Sequence, residues 1–189
     1  MTKRRDRSRR NGFRVAAAGV LVVAAVIAAA VWSVGSAGGY ELPDFSMTAY
    51  QGTDVLGSER TTFHAVLDQG RPVVLNFWAS NCPPCREEMP GFQRVHDEFE
   101  GAFTMLGVDV GTYIGLGTQA GARAFLSEYG IDYPAAFADD GELLRAYEIF
   151  SMPTTLLFDA SGALVDKHAG YLPEAAFRRQ VEALLATTE

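Results

Sequence analysis

The chain contains two cysteines, Cys82 and Cys85, and the two residues between them are Pro83 and Pro84. Two thiols at this spacing can form a disulfide and exchange it with a disulfide in another molecule. The thiolate is the nucleophile in that exchange, and free amide groups and the dipole at a helix N-terminus stabilise it. The spacing therefore predicts thiol–disulfide chemistry, with Cys82 as the attacking residue and Cys85 as the resolving residue.

Other uses of a cysteine pair fit this sequence less well. A structural disulfide across two residues closes a very small loop and stabilises little. A zinc site needs two more ligands, and His64, His96 and His168 lack metal-type spacing. Covalent haem attachment needs a histidine directly after the second cysteine, where Arg86 stands. We therefore expect no metal and no cofactor beyond the redox-active cysteine pair.

The cysteine pair lies where a buried strand meets a helix. Residues 73–78 form an apolar run typical of a strand buried on both faces, and apolar residues recur at helical spacing after Pro84. Further strands are predicted over 103–110, 154–158 and 163–168, and further helices over 119–129, over 142–147 and from Pro173 onward. Alternating strands and helices predict an α/β domain, in which the last two strands pair as a hairpin.

The first 40 residues predict a membrane anchor. Residues 15–34 are an uncharged apolar stretch of twenty residues, about the length that a helix needs to cross a bilayer. Residues 1–14 carry seven basic side chains and one acid, a bias that keeps such a tail in the cytoplasm. Residues 35–40 read as a flexible linker. The sequence thus predicts a basic cytoplasmic tail, a single-pass signal-anchor helix, a linker, and an extracytoplasmic domain over 41–189.

A cleaved signal peptide is the alternative, because residues 35–37 are small, as a signal peptidase requires. The apolar stretch is longer than the roughly 7–15 residues of a signal core, which favours a retained anchor in the cytoplasmic membrane. Cleavage would make the domain a secreted protein. Residues 35–189 carry nine basic and twenty-two acidic side chains, so nucleic acid is not an expected partner.

The segment 77–90, FWASNCPPCREEMP, resembles the active-site segment of thioredoxin-fold proteins, specifically the membrane-tethered branch typified by TlpA, ResA and the cytochrome c maturation reductases. Residues 42–45 resemble the opening of that domain, 73–78 its first central strand, and 152–155 its cis-proline loop. The resemblance covers nearly all of residues 41–188. It implies a thioredoxin-like fold, with a central mixed sheet flanked by helices, after one transmembrane helix.

The resemblance also implies roles for single residues. Pro153 matches the cis-proline that faces the disulfide and exposes backbone for a substrate peptide to pair with. Met152 precedes it on the substrate side, and Trp78, Pro83 and Pro84 complete the expected substrate-binding residues.

The usual buried acid is missing. Asn76 stands where cytoplasmic thioredoxins have an aspartate as proton acceptor, and the membrane-tethered branch often has asparagine there. Glu88, Asp109 and Glu148 are candidate replacements, although solvated surface charge is the expected role of each. Asn81 replaces the tryptophan common before the first cysteine, so a more polar groove is expected.

The resemblance favours an extracytoplasmic protein-disulfide reductase acting on disulfide-bonded exported proteins, among them apocytochromes c with oxidised haem-binding cysteines. Such an enzyme needs a transmembrane thiol electron donor, because cytoplasmic thiols do not reach that compartment. Three alternatives stay open: an exported disulfide oxidase acting on dithiol proteins, a thiol peroxidase, which residues 76–82 faintly resemble, and a non-catalytic thioredoxin-like binding module.

Overall fold

The computed structural model describes residues 42–186. The predicted tail, anchor helix and linker, residues 1–40, lie outside this range. Within it, no helix combines the length and the hydropathy that crossing a membrane requires.

A seven-stranded sheet forms the centre of the described part of the chain, in the order β2-β1-β5-β4-β3-β6-β7. The strands are β1 (Ser46–Gln51), β2 (Arg60–Thr62), β3 (Val73–Trp78), β4 (Thr104–Asp109), β5 (Ala135–Ala138), β6 (Thr154–Phe158) and β7 (Leu164–Ala169). β3 runs parallel to β4 and antiparallel to β6, so the sheet is mixed. β6 and β7 pair antiparallel, as the predicted hairpin requires.

Helices surround this sheet. They are α1 (Thr53–Leu56), α2 (Phe63–Leu67), α3 (Pro83–Glu98), α4 (Gly111–Ile114), α5 (Gln119–Glu128), α6 (Leu143–Ala146) and α7 (Glu174–Ala186). The two longest helices, α3 and α7, pack together, and the ring centroids of Phe92 and Phe177 lie 4.0 Å apart at their contact. An ion pair at 2.6 Å joins Arg94 to Glu174 beside this contact. The prediction of a central mixed sheet flanked by helices is therefore confirmed.

β3 separates the two halves of the core. All six of its residues are buried, and their side chains alternate between the two faces of the sheet. Val74 and Trp78 join the cluster formed with α3, α5 and α7. Leu75 and Phe77 join the cluster formed with α2 and α6. A strand buried on both faces fixes the position of the turn that follows it, and that turn leads to Cys82.

Candidate active site at the Cys82–Cys85 pair

Cys82 is the N-cap of α3, at the junction between strand and helix that the sequence predicts. Its sulfur accepts a hydrogen bond from the amide of Cys85 at 3.3 Å. Pro83 is the first helical residue, where a missing N–H leaves no hydrogen bond unmade. Cys82 and Cys85 are joined by a disulfide, with their Cα atoms 5.3 Å apart. Pro83 and Pro84 have no N–H, so it is the amide of Cys85 that the helix N-terminus presents to the sulfur of Cys82, and this hydrogen bond favours the thiolate in the reduced protein.

An open groove with a volume of about 400 Å³ begins at Cys82. Pro83, Pro84 and Met152, three of the predicted substrate-binding residues, line it. The sequence did not indicate the other lining residues, which are Ile114, Leu116, Leu144, Ile149, Phe150 and Ser151. We call residues 149–152 the groove loop. None of the lining side chains carries a charge, and Asn81, which suggested a more polar groove, is not among them.

The groove loop leads into the predicted cis-proline. The peptide bond between Met152 and Pro153 is cis. Pro153 is buried, and its carbonyl accepts a hydrogen bond from the amide of Gly170 at 2.8 Å. The proline therefore ties the start of β6 to the end of β7 and places Met152 on the groove side.

Trp78 does not reach the groove, which corrects the prediction that it contacts substrate. Its side chain is completely buried, and its ring lies 5.5 Å from that of Phe125 in α5. Gly107 on the neighbouring strand makes room for it, because a Cβ at that position would lie 3.1 Å from the indole nitrogen. Trp78 thus supports the site from the core.

Glu88 is a buried acid of α3, and its expected role as solvated surface charge is wrong. Its side chain is only 2% exposed. One carboxyl oxygen accepts a hydrogen bond from the side-chain amide of Asn76 at 3.0 Å, and the other accepts one from the amide of Leu172 at 2.9 Å. Burial raises the pKa of Glu88 to about 8, although both hydrogen bonds favour the ionised form. It follows Cys85 by three residues and so lies one helical turn away on the same face.

Asn76 links Glu88 to the strand behind the cis-proline. The same amide group also donates to the hydroxyl of Thr155 at 3.0 Å. Asn76 and Thr155 are paired residues of β3 and β6. Asparagine at this position thus holds a carboxyl group that comes from the helix.

The other two candidate acids lie elsewhere. Asp109 is buried at the end of β4, where Tyr50 and the amide of Gly111 each donate to it at 2.8 Å. Burial is the main reason that its pKa is raised. Its expected role as surface charge is therefore also wrong. Glu148 is exposed at the end of α6, in agreement with that expectation.

Asp109 supports the segment that forms one wall of the groove. The amide of Leu116 donates to the carbonyl of Gly111 at 2.9 Å, and the amide of Asn81 donates to the carbonyl of Leu116 at 2.8 Å. Gly117 has a positive φ of 147°, and a Cβ there would overlap the hydroxyl of Ser80. These contacts fix the turn before Cys82 against the groove wall.

Arg86 fixes the same turn from the helix side. Its guanidinium donates to the carbonyl of Ser80 at 3.0 Å and stacks over the rings of Phe125 and Tyr129 at 4.7 and 4.9 Å. Arg86, which stands where covalent haem attachment would need a histidine, therefore has a structural role in this turn.

Residues 39–167 match the family model described as the AhpC/TSA family. The chain belongs to the AhpC/TSA family. This AhpC/TSA protein is 28% identical over 149 residues to the thioredoxin-like protein YneN of Bacillus subtilis (strain 168), which covers 79% of this chain and 81% of the relative. It is 30% identical over 106 residues to the thiol-disulfide oxidoreductase ResA of Halalkalibacterium halodurans, which covers 56% of this chain and 58% of ResA.

A solved structure resembles the AhpC/TSA protein over most of its length. It is a Chlorobium tepidum protein, provisionally described as a thiol:disulfide interchange protein DsbE, with a TM-score of 0.64 and 27% identity over 78% of this chain and 96% of that chain. The predicted thioredoxin-like fold and the resemblance to ResA are thereby confirmed. Together with the cysteine pair, the relatives also confirm that this AhpC/TSA protein is an enzyme, a thioredoxin-like thiol–disulfide oxidoreductase.

Proposed function

We propose that this enzyme reduces disulfides in exported proteins, outside the cytoplasmic membrane, with residues 15–34 as its single-pass anchor and its N-terminus inside. One observation carries the proposal. The sulfur of Cys82 opens onto a groove, Cys85 is fully buried, and a buried acid lies one helical turn beyond Cys85. The attacking sulfur, the resolving sulfur and a proton acceptor thus follow one another along α3.

The reaction begins with the reduced protein. The thiolate of Cys82 attacks one sulfur of the substrate disulfide, and a new bond joins Cys82 to that sulfur. The other substrate sulfur leaves with the electron pair of the broken bond and takes up a proton. The product is a mixed disulfide in which the substrate chain lies in the groove.

The second step releases the substrate. Cys85 loses its proton, and its thiolate attacks the sulfur of Cys82. The Cys82–Cys85 disulfide forms, and the second substrate sulfur leaves as a thiolate that is then protonated. Glu88 is the group that we assign to accept the proton of Cys85, because a carboxyl with a pKa of about 8 exchanges protons near neutral pH. Both electrons come from the two thiols, so the step needs no other cofactor.

The direction, the substrates and the electron donor follow from the resemblance of the active-site segment to the membrane-tethered reductases. Substrates are disulfide-bonded exported proteins, including apocytochromes c whose haem-binding cysteines are oxidised. The oxidised enzyme must then be reduced again by a transmembrane thiol donor.

The test uses the full-length chain in a mild detergent. We expect a reduction potential below about −220 mV, in the range of reducing proteins, and reduction of insulin disulfides that Cys82→Ser abolishes. A potential near −120 mV would identify an oxidase of exported dithiols instead. Fast peroxide consumption without insulin reduction would indicate a peroxidase, and neither activity would indicate a binding module.

A further inference from the structure

Phe150 is the most exposed large apolar residue of the described part of the chain. Its side chain is 86% exposed, whereas the next, Val165, is 47% exposed. Single exposed apolar residues are common and need no explanation by themselves. Phe150, however, lies in the groove loop and lines the same groove as the sulfur of Cys82. Its exposure is therefore at the place where a substrate must bind.

The groove loop is held at both ends. The ammonium group of Lys167 on β7 donates to the carbonyls of Tyr147 and Glu148 at 2.9 and 3.0 Å, just before the loop. At the other end, the hydroxyl of Thr154 donates to the carbonyl of Ser151 at 2.7 Å. A positive charge at the C-terminus of α6 also interacts favourably with the helix dipole. The backbone that carries the aromatic ring is thus fixed before any substrate arrives.

The covalent chemistry identifies what occupies the groove. In the mixed disulfide, the sulfur of Cys82 is bonded to a cysteine of the substrate, so the residues on either side of that cysteine lie next to Cys82. A charged or strongly polar side chain would lose water there without gaining a partner, because the lining side chains carry no charge. An apolar side chain instead removes apolar surface of both molecules from water.

We propose that Phe150 is a specificity-determining residue that selects disulfides whose reactive cysteine is flanked by a bulky apolar side chain. The inference rests on the proposed function and names the substrate class that this function serves. Phe150 acts by contact with the substrate and takes no part in the transfer of electrons.

Two disulfide-linked peptide homodimers test this inference. They differ only in the residue before the cysteine, which is phenylalanine in one and serine in the other. The second-order rate constant with the reduced full-length chain is measured by acid quench and divided by the rate constant of the same dimer with dithiothreitol. We expect the wild-type protein to prefer the phenylalanine dimer by about tenfold, and Phe150→Ser to reduce this ratio to below about threefold.

Val165→Ser is the matched control. It also removes an exposed apolar side chain, but from β7. Val165 follows Leu164, which pairs with Phe158 at the end of β6 that lies away from the cis-proline. Val165→Ser should therefore keep the tenfold preference. Equal rates for the two dimers in the wild-type protein, or an unchanged preference in Phe150→Ser, would overturn the inference. Insulin reduction by the wild-type protein is measured in parallel. If insulin is reduced but the two dimers react equally fast, the inference about Phe150 is wrong and the proposed function stands. If insulin is not reduced, the proposed function itself is wrong.

Discussion

The side-chain amide of Asn76 donates a hydrogen bond to the carboxyl group of Glu88 at 3.0 Å, and this contact joins the central strand β3 to helix α3 in the protein interior. Thioredoxins of the cytoplasm place an acid on the strand at this position. Here the strand supplies the amide, and the helix supplies the acid. The buried carboxyl is thus one turn from the resolving cysteine, and burial raises its pKa to about 8.

Replacing this acid should slow the release of substrate. In Glu88→Gln we expect the mixed disulfide to resolve about 100-fold more slowly at pH 8, where about half of the Glu88 carboxyl groups of the wild-type protein are ionised, because Cys85 loses its proton acceptor. Rapid acid quench followed by mass spectrometry measures the lifetime of the mixed disulfide. Glu87→Gln is the control, because that neighbouring carboxyl is exposed. Equal lifetimes in the two variants would rule out Glu88 as the acceptor.

The same carboxyl should make the stability of the oxidised protein depend on pH. Below about pH 4.5 Glu88 is protonated in both the folded and the unfolded protein, and its contribution is fully present. As the pH rises to about 8, the unfolded state loses this proton while the folded state keeps it, so the free energy of unfolding falls. The loss is at most about 5 kcal/mol, at roughly 1.4 kcal/mol per pKa unit.

Denaturant unfolding at pH 5 and pH 8.5 measures this loss. Asp109, whose pKa is also raised by burial, adds a slope of the same sign in every variant. The comparison is therefore between the wild-type protein and Glu88→Gln, which should lose less stability over this range. Identical pH dependences would show that Glu88 is already ionised at neutral pH in the folded protein.

Cys85→Ser should trap the substrate. Its Cys82 still attacks a disulfide, but no second thiol is present to release the product, since the chain has only two cysteines. We expect covalent complexes with exported proteins on non-reducing gels, which disappear on reduction. Cys82→Ser, the matched variant, should form none. Complexes with Cys82→Ser but not with Cys85→Ser would reverse the roles of the two cysteines, and similar yields with both would show that either cysteine can attack.

Lys167→Met should loosen the groove loop. The substitution removes the ammonium group that donates hydrogen bonds to two carbonyls just after α6. We expect the free energy of unfolding to fall by about 1 kcal/mol. Hydrogen exchange of residues 149–152 should become faster, and the preference for apolar peptide dimers should decrease. Unchanged exchange in this segment would show that other contacts hold the loop.

The sequence predicted the centre of the fold because local patterns there agree with tertiary structure. β3 is an apolar run buried on both faces, α3 has regular helical spacing, and the β6–β7 hairpin has a short turn. β2 has only three residues, too few to show an alternating pattern, and β5 reads Ala-Ala-Phe-Ala, without the β-branched residues that indicate a strand. Both exist because neighbouring strands pair with them, which only the folded chain provides.

The site was predicted to a similar extent. The cysteine pair and the cis-proline are recognisable from local sequence, whereas the groove joins segments that are far apart in the chain, such as Leu116 and Phe150. The sequence does contain a pattern that indicates the burial of Glu88, although the prediction of surface charge did not take it into account. Cys85, Glu88, Met89 and Phe92 follow the three- and four-residue spacing of one helix face, which indicates burial of the acid among apolar neighbours.

The proximity of the two cysteines also determines how long a substrate stays. Cys85 lies 5.3 Å from Cys82 between Cα atoms and in the same helix turn, so release is an intramolecular event whose rate does not depend on the concentration of any other thiol. The groove therefore needs only to recognise a substrate during the first attack, because a covalent bond holds it afterwards. A small contact surface is then sufficient, and many different substrates can be served without strong affinity for any of them.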